Sequence, residues 1–191
     1  MIITIAGTAG SGKSTIARNL IKILNAKRIY VGGIRRELAR EKGMTIEELN
    51  EYAKTHPETD VDVDKAAAKH ALDLEKQGQT VVVEGRIQFH FLPNSVKLYI
   101  TVDPMIAAKR IFEETKNQVA KESRNENQYN SVEELAAHIK IRTAQDTKRY
   151  VKYYGVDDTN LSHYNFVLDT ENITADQATD KVLEFLNANN G

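Results

Sequence analysis

Five short runs of β-branched and apolar residues alternate with longer helical patterns along the chain, and this alternation constrains the fold most. The predicted strands cover residues 2–6, 28–31, 80–84, 97–102 and 165–168. Each is a nearly unbroken apolar run, which is typical of strands buried on both faces of a parallel sheet. The sequence therefore predicts a three-layer α/β fold with a five-stranded parallel sheet.

The 191 residues are enough for one domain with a sizeable core and too few for two. Neither a repeat nor a linker rich in proline, glycine or serine divides the chain. Capping-box spacings predict helix starts at Thr45, Ser131 and Thr174. The polar segment 116–130 lacks a clean period, and we interpret it as a mobile surface loop. The alternative is an exposed continuation of the flanking helices.

Charge and composition exclude several classes of protein. Lys and Arg number 26 against 27 Asp and Glu, so the net charge of -1 gives no general attraction to nucleic acid or anionic membranes. The absence of cysteine excludes disulfides, thiolate zinc sites and cysteine nucleophiles. No apolar stretch approaches the roughly 18 residues of a membrane helix, and the N-terminus indicates a strand rather than an export signal. We expect a cytoplasmic monomer without a nucleic-acid or membrane partner.

The first predicted strand leads into a glycine-rich turn, Gly7-Thr8-Ala9-Gly10-Ser11-Gly12-Lys13-Ser14, that matches the P-loop pattern G-x-x-x-x-G-K-[ST] at every fixed position. Glycines let backbone N–H groups point inward around a phosphate, and the N-terminus of the following helix adds partial positive charge. The turn therefore predicts binding of a nucleoside triphosphate, with the lysine on the β- and γ-phosphates and the serine on Mg²⁺. The expected ATP-binding residues are Gly7, Thr8, Ala9, Gly10, Ser11, Gly12, Lys13, Ser14 and Thr15.

A P-loop occurs in kinases, switch GTPases and motors, and the rest of the chain discriminates among them. The guanine-reading motif N-K-x-D is missing, which argues against a switch GTPase. A ring ATPase would usually need a longer chain and a strand that ends in paired acids, and the sequence shows neither.

Two further strand ends carry groups suited to an anion. Gly32-Gly33 after the second strand precedes Arg35 and Arg36, an arrangement that suits a monophosphate; the alternative is a solvated basic face that also includes Arg40. After the third strand comes Glu84-Gly85-Arg86, at the edge of the sheet where α/β proteins bind ligands. The carboxylate can hold Mg²⁺ through water and the arginine can neutralise a phosphate. The alternative is a surface ion pair.

A late helix carries Arg142, Asp146 and Arg149 at positions i, i+4 and i+7, so the three side chains share one face. Two arginines around a carboxylate can hold phosphate charge while the carboxylate accepts hydrogen bonds from sugar hydroxyls. The same spacing also makes ordinary surface salt bridges, and that alternative stays open on spacing alone.

On these residues the chain resembles the cytidylate kinases, in their short archaeal-like form, among the P-loop nucleoside monophosphate kinases. The resemblance covers nearly the whole chain. It implies transfer of the γ-phosphoryl group of ATP, with Mg²⁺, to CMP or dCMP in a single domain with an acceptor-binding region at about 32–77 and a lid at about 116–130. It implies Lys13, Arg110 and Arg124 as catalytic residues and Ser14 and Glu84 as metal-binding residues. The implied acceptor-binding residues are Gly32, Arg36, Glu84, Gly85, Arg86, Arg142, Asp146 and Arg149.

The chain departs from the family pattern at three places. Tyr30 stands where many relatives have a small hydroxyl residue, Glu84 replaces the commoner Asp, and the long insert of the bacterial enzymes is missing. These departures bear on base specificity more than on the reaction. Two alternatives remain: a kinase for AMP, UMP or a small metabolite, and a regulatory module that binds ATP without turnover. The second set of arginines favours a kinase, because a module of that kind needs no acceptor site.

Overall fold

The computed structural model describes residues 1–117, 122, 124, 125, 127 and 129–189. Five parallel strands form one sheet in the order β2-β3-β1-β4-β5. This arrangement confirms the predicted fold class, and each strand boundary lies within one residue of its predicted position. The strands are β1 (Ile2–Gly7), β2 (Lys27–Tyr30), β3 (Val81–Glu84), β4 (Val96–Thr101) and β5 (Phe166–Asp169).

Helices connect the strands and cover both faces of the sheet. They are α1 (Lys13–Ile23), α2 (Val31–Glu41), α3 (Ile46–Tyr52), α4 (Glu58–Lys76), α5 (Gln88–Phe91), α6 (Pro104–Glu114), α7 (Val132–Tyr154) and α8 (Ala175–Ala188). Thr45 and Thr174 close complete capping boxes, as their spacing predicts. Ser131 caps α7 only from one side, because the Glu134 carboxylate accepts from the backbone N–H of Asn130 instead.

The sheet separates two apolar clusters, because alternate side chains of a strand point to opposite faces. Ile3 and Ile5 of β1 pack with Ile16 of α1 on one side, together with α8. Val81 and Val83 of β3 pack with α4 on the other side. The three layers of the predicted architecture are therefore present. No helix in the described part of the chain is long and apolar enough to cross a membrane.

The register of the strands brings the predicted site residues to one edge of the sheet. Ile5 of β1 lies beside Glu84, the last residue of β3, and Gly7 lies beside Ile100 of β4. The P-loop follows β1 and the Glu84-Gly85-Arg86 turn follows β3, so the two turns are neighbours at the carboxyl edge.

Helix α2 begins earlier than the sequence predicts. We expected the pair Gly32-Gly33 to form the turn before the helix, but both glycines lie in its first turn. The ring of Tyr30 packs over them. A Cβ on Gly33 would lie 2.6 Å from Tyr30 Cδ1, and one on Gly32 would lie 3.0 Å from Tyr30 Cε2. The glycines make room for the aromatic ring.

Candidate active site

The P-loop has the backbone conformation of an anion-binding turn. Gly7, Gly10 and Gly12 have φ values of 131°, 72° and 84°, which side-chain-bearing residues rarely adopt. A Cβ on Gly7 would lie 1.9 Å from the carbonyl oxygen of Ile100, and one on Gly10 would lie 2.7 Å from that of Ala107. The backbone of the turn is thus pressed against β4 and α6. Only glycine fits at these two positions.

The polar side chains of the P-loop are arranged for a bound anion. The hydroxyl oxygens of Thr8 and Ser11 are buried and have no hydrogen-bond partner among the described residues. The ammonium of Lys13 donates to the carbonyl oxygen of Thr8 at 2.9 Å, within the turn itself. The two hydroxyls can donate to a polyphosphate, and the ammonium can exchange its internal contact for one, so the turn fits ATP.

Lys13 is half-buried among charged groups that perturb it. Burial lowers the pKa of its ammonium to about 7; the Glu84 carboxylate opposes this effect, and the guanidinium groups of Arg86, Arg124 and Arg36 add to it. The Lys13 ammonium therefore lies in the field of three arginines from three separate segments. An anion between them would restore its charge.

Ser14 and Glu84 meet, as the sequence predicts for a metal site. The Ser14 hydroxyl donates to Glu84 Oε1, and a guanidinium nitrogen of Arg28 in β2 donates to Glu84 Oε2 at 2.7 Å. Glu84 is 1% exposed. A hydroxyl and a carboxylate are oxygen ligands of the kind Mg²⁺ uses when substrate phosphates and water complete its shell. In the described part of the chain no group of three His, Cys, Asp or Glu side chains could hold a metal by itself.

Four arginines and two carboxylates form a buried group beside the P-loop, which we call the acceptor cluster. Its members come from α2, α4, the turn after β3 and α7: Arg35, Asp60, Arg86, Arg142, Asp146 and Arg149. Asp60 is fully buried, and Asp146 and Arg149 are only 3% and 4% exposed. Four guanidinium groups against two carboxylates leave two positive charges in the cluster, which suits a dianionic phosphate.

The contacts of the acceptor cluster run through its two carboxylates. Asp60 pairs with Arg35 and accepts from Arg149 Nε at 2.5 Å. Asp146 accepts from Arg86 at 2.7 Å and from Arg149 at 2.9 Å, while Arg142 Nε lies 3.9 Å from it. Asp60 thus links α4 to α2 and α7, and Asp146 links α7 to the turn after β3.

The charge state of Asp146 follows from these contacts. Burial alone would raise its pKa, but the guanidinium groups of Arg86, Arg149 and Arg142 outweigh burial and hold the pKa below its ordinary value. The carboxylate is therefore ionised at neutral pH and can accept hydrogen bonds from a ligand's hydroxyl groups. The pKa of Arg149 is shifted in the opposite direction. Burial would lower it, but the Asp146 carboxylate raises it above the ordinary value of arginine.

A smaller polar group lies beside the acceptor cluster, and we call it the amide cluster: Asp64 of α4, Gln88 of α5 and Tyr154 of α7. Asp64 accepts from Gln88 Nε2 at 2.9 Å and from the Tyr154 hydroxyl at 2.8 Å. Burial raises the pKa of Asp64, while these two hydrogen bonds and the charges of Arg35 and Arg149 oppose the rise. The same arginines therefore act on both clusters.

The two predicted lid arginines lie in different surroundings. Arg124 is among the charges that act on Lys13, and its backbone carbonyl accepts from Arg36 Nε at 2.8 Å. Arg110 instead donates to the Thr170 carbonyl at 2.7 Å and to the Thr170 hydroxyl at 3.1 Å. Thr170 in turn donates to the carbonyl of Ser11, so Arg110 supports the P-loop through the turn after β5.

The described residues of the predicted lid rest on the acceptor region. The Ile46 N–H donates to the Asn125 carbonyl at 3.0 Å, and Asn125 Nδ2 donates to the Met44 carbonyl at 3.1 Å. Asn127 contacts Glu47. Residues 118–121, 123, 126 and 128 of the predicted lid lie outside the described residues. The mobility of segment 116–130 stays a prediction.

The structure brings together most of the residues that the sequence predicts. Lys13, Ser14, Glu84 and Arg86 meet at the sheet edge, and the late-helix trio joins Arg86 through Asp146. Arg36 contacts the Gly32 carbonyl at 3.1 Å and the Tyr30 hydroxyl at 2.7 Å. Sequence reasoning missed Arg28, Asp60, Asp64, Gln88 and Tyr154 as members of the site, and it named Arg35 only beside Arg36 as suited to a monophosphate. Their positions in the helices could have indicated some of these residues. Arg35, Asp60 and Asp64 lie among the buried residues of α2 and α4, where charged side chains are unusual.

Comparison with known proteins agrees with this geometry. A family model described as "AAA domain" matches residues 3–134. Cytidylate kinases from Pyrococcus abyssi and Pyrococcus furiosus are 36% and 34% identical, over 89% and 92% of this chain and 84% and 83% of theirs.

Solved structures agree on the fold. An uncharacterized protein from Eubacterium ventriosum aligns with a TM-score of 0.67 at 18% identity over 98% of both chains. Shikimate kinase from Acinetobacter baumannii aligns with a TM-score of 0.58 at 15% identity, over 98% of this chain and 93% of that one. With a P-loop, an acceptor cluster and this identity across the length of the relatives, the chain belongs to the AAA domain family and, among P-loop kinases, to the cytidylate kinase family.

Proposed function

We propose that the chain transfers the γ-phosphoryl group of ATP to CMP or dCMP, giving ADP and CDP or dCDP. The acceptor cluster carries the proposal, because its two surplus positive charges lie beside the P-loop and Arg86 belongs to both sites. A site of this kind suits a second phosphate compound rather than water. Kinship with cytidylate kinases supports a cytidine nucleotide as that compound.

The reaction needs no protein nucleophile or base, because a phosphate oxygen of the acceptor is already anionic. That oxygen forms a bond to the γ-phosphorus while the bond between the γ-phosphorus and the bridging β,γ-oxygen breaks. The chain contributes alignment and positive charge in a site that excludes water. The P-loop holds the donor, the acceptor cluster holds the acceptor phosphate, and Lys13 neutralises charge between them.

The proposed roles of the remaining residues follow from their contacts. Asp146 accepts hydrogen bonds from the sugar hydroxyls, Arg36 and Arg124 add positive charge near Lys13, and Arg110 acts on the P-loop through Thr170. Ser14 and Glu84 would hold Mg²⁺, which when bound supplies charge to the β- and γ-phosphate oxygens. We further propose that the enzyme is a cytoplasmic monomer, in which segment 116–130 closes over the donor.

A product assay tests the proposal. The protein is incubated with ATP, Mg²⁺ and one of CMP, dCMP, UMP, AMP or GMP, and the diphosphate formed is identified by chromatography. We expect CDP or dCDP to form fastest. A faster reaction with AMP or UMP would assign a different acceptor, and tight ATP binding with no diphosphate from any acceptor would contradict kinase function.

A further inference from the structure

The amide cluster lies one step further along elements that also carry the acceptor cluster. Asp64 follows Asp60 by four residues on α4, and Tyr154 follows Arg149 by five residues on α7. Gln88 follows Arg86 by two residues after β3. Four residues of helix correspond to a rise of about 6 Å. A ligand whose phosphate lies among the arginines therefore has the amide cluster within reach of its other end.

The hydrogen bonds of the amide cluster fix the orientation of the Gln88 side chain. Both oxygens of the Asp64 carboxylate accept hydrogen bonds, one from Gln88 Nε2 at 2.9 Å and one from the Tyr154 hydroxyl at 2.8 Å. The nitrogen end of the amide therefore faces the Asp64 carboxylate. The amide oxygen must then point away from Asp64.

The oxygen that points away is unsatisfied. Gln88 is fully buried, and its Oε1 has no hydrogen-bond partner among the described residues. Buried acceptors without a donor are rare and destabilising in folded proteins. Gln88 contacts Asp64, on which Arg35 and Arg149 of the acceptor cluster act, so a hydrogen-bond donor on the bound nucleotide is the natural partner of this oxygen. Because the side chain is buried in the free protein, the base must displace the groups that pack over Oε1, and the new hydrogen bond offsets that cost.

We propose that Gln88 reads the base of the acceptor nucleotide, with its Oε1 accepting a hydrogen bond from the exocyclic amino group of cytosine. Asp64 acts as the positioning residue that prevents the amide from turning over. Uracil carries a carbonyl oxygen in place of that amino group, so two acceptors would face each other in a buried site. The inference rests on the proposed function, since it names how the proposed acceptor is selected.

The first test uses the wild-type protein with different acceptors, so a folding defect of a variant cannot affect the result. Three acceptors are compared: CMP, UMP and the monophosphate of 2-pyrimidinone riboside, which has hydrogen where cytosine has its amino group. We expect kcat/KM to be roughly ten- to a hundredfold higher for CMP than for the other two. Equal kcat/KM for CMP and the pyrimidinone nucleotide would overturn the proposal. No reaction with any of the three would contradict the proposed function itself.

Two variants then assign the effect to residues. Gln88→Met keeps the length of the side chain and removes the acceptor, so kcat/KM for CMP should fall to about that of the pyrimidinone nucleotide, while KM for ATP stays unchanged. Asp64→Asn supplies a donor to Gln88 Oε1 and lets the amide turn over, so the preference should move toward UMP. Gln77→Met, at the exposed end of α4, is the matched control and should behave as wild type. An unchanged ratio of CMP to UMP in both Gln88→Met and Asp64→Asn would overturn the proposal.

Discussion

Arg149 is the member of the acceptor cluster that joins both carboxylates, so its replacement by alanine should act on stability and on substrate binding together. Its side chain is 3% exposed and contacts Asp60 at 2.5 Å and Asp146 at 2.9 Å. Removal of one partner of a buried ion pair costs about 3–5 kcal/mol. Asp60 keeps Arg35 and Asp146 keeps Arg86, so we expect the lower end of that range.

A loss of about 3 kcal/mol in the free energy of unfolding corresponds to a melting temperature lower by about 6–12 °C for a chain of this size. Arg142→Ala is the matched control. It removes the same charge, but the Arg142 side chain is 18% exposed and its Nε lies 3.9 Å from Asp146. Because this contact is longer and its arginine is more exposed, the melting temperature should fall by less than for Arg149→Ala.

Thermal melting and steady-state kinetics of the two variants separate the roles. If the cluster holds the acceptor phosphate, Arg149→Ala should raise KM for CMP roughly ten- to a hundredfold, since a charge-assisted hydrogen bond contributes about 1.5–3 kcal/mol. KM for ATP should change much less. A lower melting temperature with unchanged KM for CMP would show a purely structural cluster. An unchanged melting temperature would refute the buried ion-pair network.

Three further predictions concern the P-loop and its surroundings. The pKa of Lys13 is about 7 in the free protein, so most Lys13 side chains are neutral at pH 8. The phosphates of ATP should raise that pKa, and ATP binding at pH 8 should therefore take up close to one proton. Equal calorimetric binding enthalpies in buffers of different ionisation enthalpy would exclude this proton uptake. Gly33→Ala should lower the free energy of unfolding by about 1–3 kcal/mol, because its methyl group clashes with the Tyr30 ring. The double variant with Tyr30→Ala should lack most of that penalty, and denaturant unfolding of both variants measures it. In Glu84→Gln, the Mg²⁺ concentration that gives half-maximal activity should rise several-fold. Arg28→Ala keeps the Glu84 carboxylate and should leave that concentration unchanged. Equal Mg²⁺ dependence of Glu84→Gln and wild type would show that Glu84 does not belong to the metal site.

The sheet and the P-loop could be predicted because each depends on local patterns. Apolar runs mark the strands, most clearly the fully buried β1 and β3. The turn Gly7–Ser14 needs glycine wherever its backbone approaches β4 or α6. The capping boxes at Thr45 and Thr174 are likewise complete within four residues of sequence. Where the determining contacts are local, the sequence is sufficient.

The acceptor cluster depends on contacts between distant segments, and there the sequence was less informative. Arg35 and Arg36 are adjacent in sequence, and only packing shows that Arg35 faces Asp60 while Arg36 faces Tyr30. Asp60 looks like an ordinary acidic residue in the first turn of a helix, yet it is fully buried between two arginines. A stronger rule would weight charged residues that fall on the apolar stripe of a helix, as Arg35 does between Val31 and Ala39.

Helix α5 could not be predicted for a different reason. It has only four residues, Gln88–Phe91, which is too short for a hydrophobic period to be visible. Gln88 therefore gave no signal as a site residue, although its position after β3 places it next to Arg86.

A crystal structure of the protein with CMP and a non-hydrolysable ATP analogue would test most directly whether the acceptor cluster is the acceptor site. We expect the CMP phosphate oxygens to lie about 2.7–3.2 Å from guanidinium nitrogens of the cluster, with the γ-phosphate of the analogue at Lys13 and the cytosine amino group directed at Gln88 Oε1. A CMP phosphate bound elsewhere, with the arginines of the cluster still paired only to Asp60 and Asp146, would contradict the assignment.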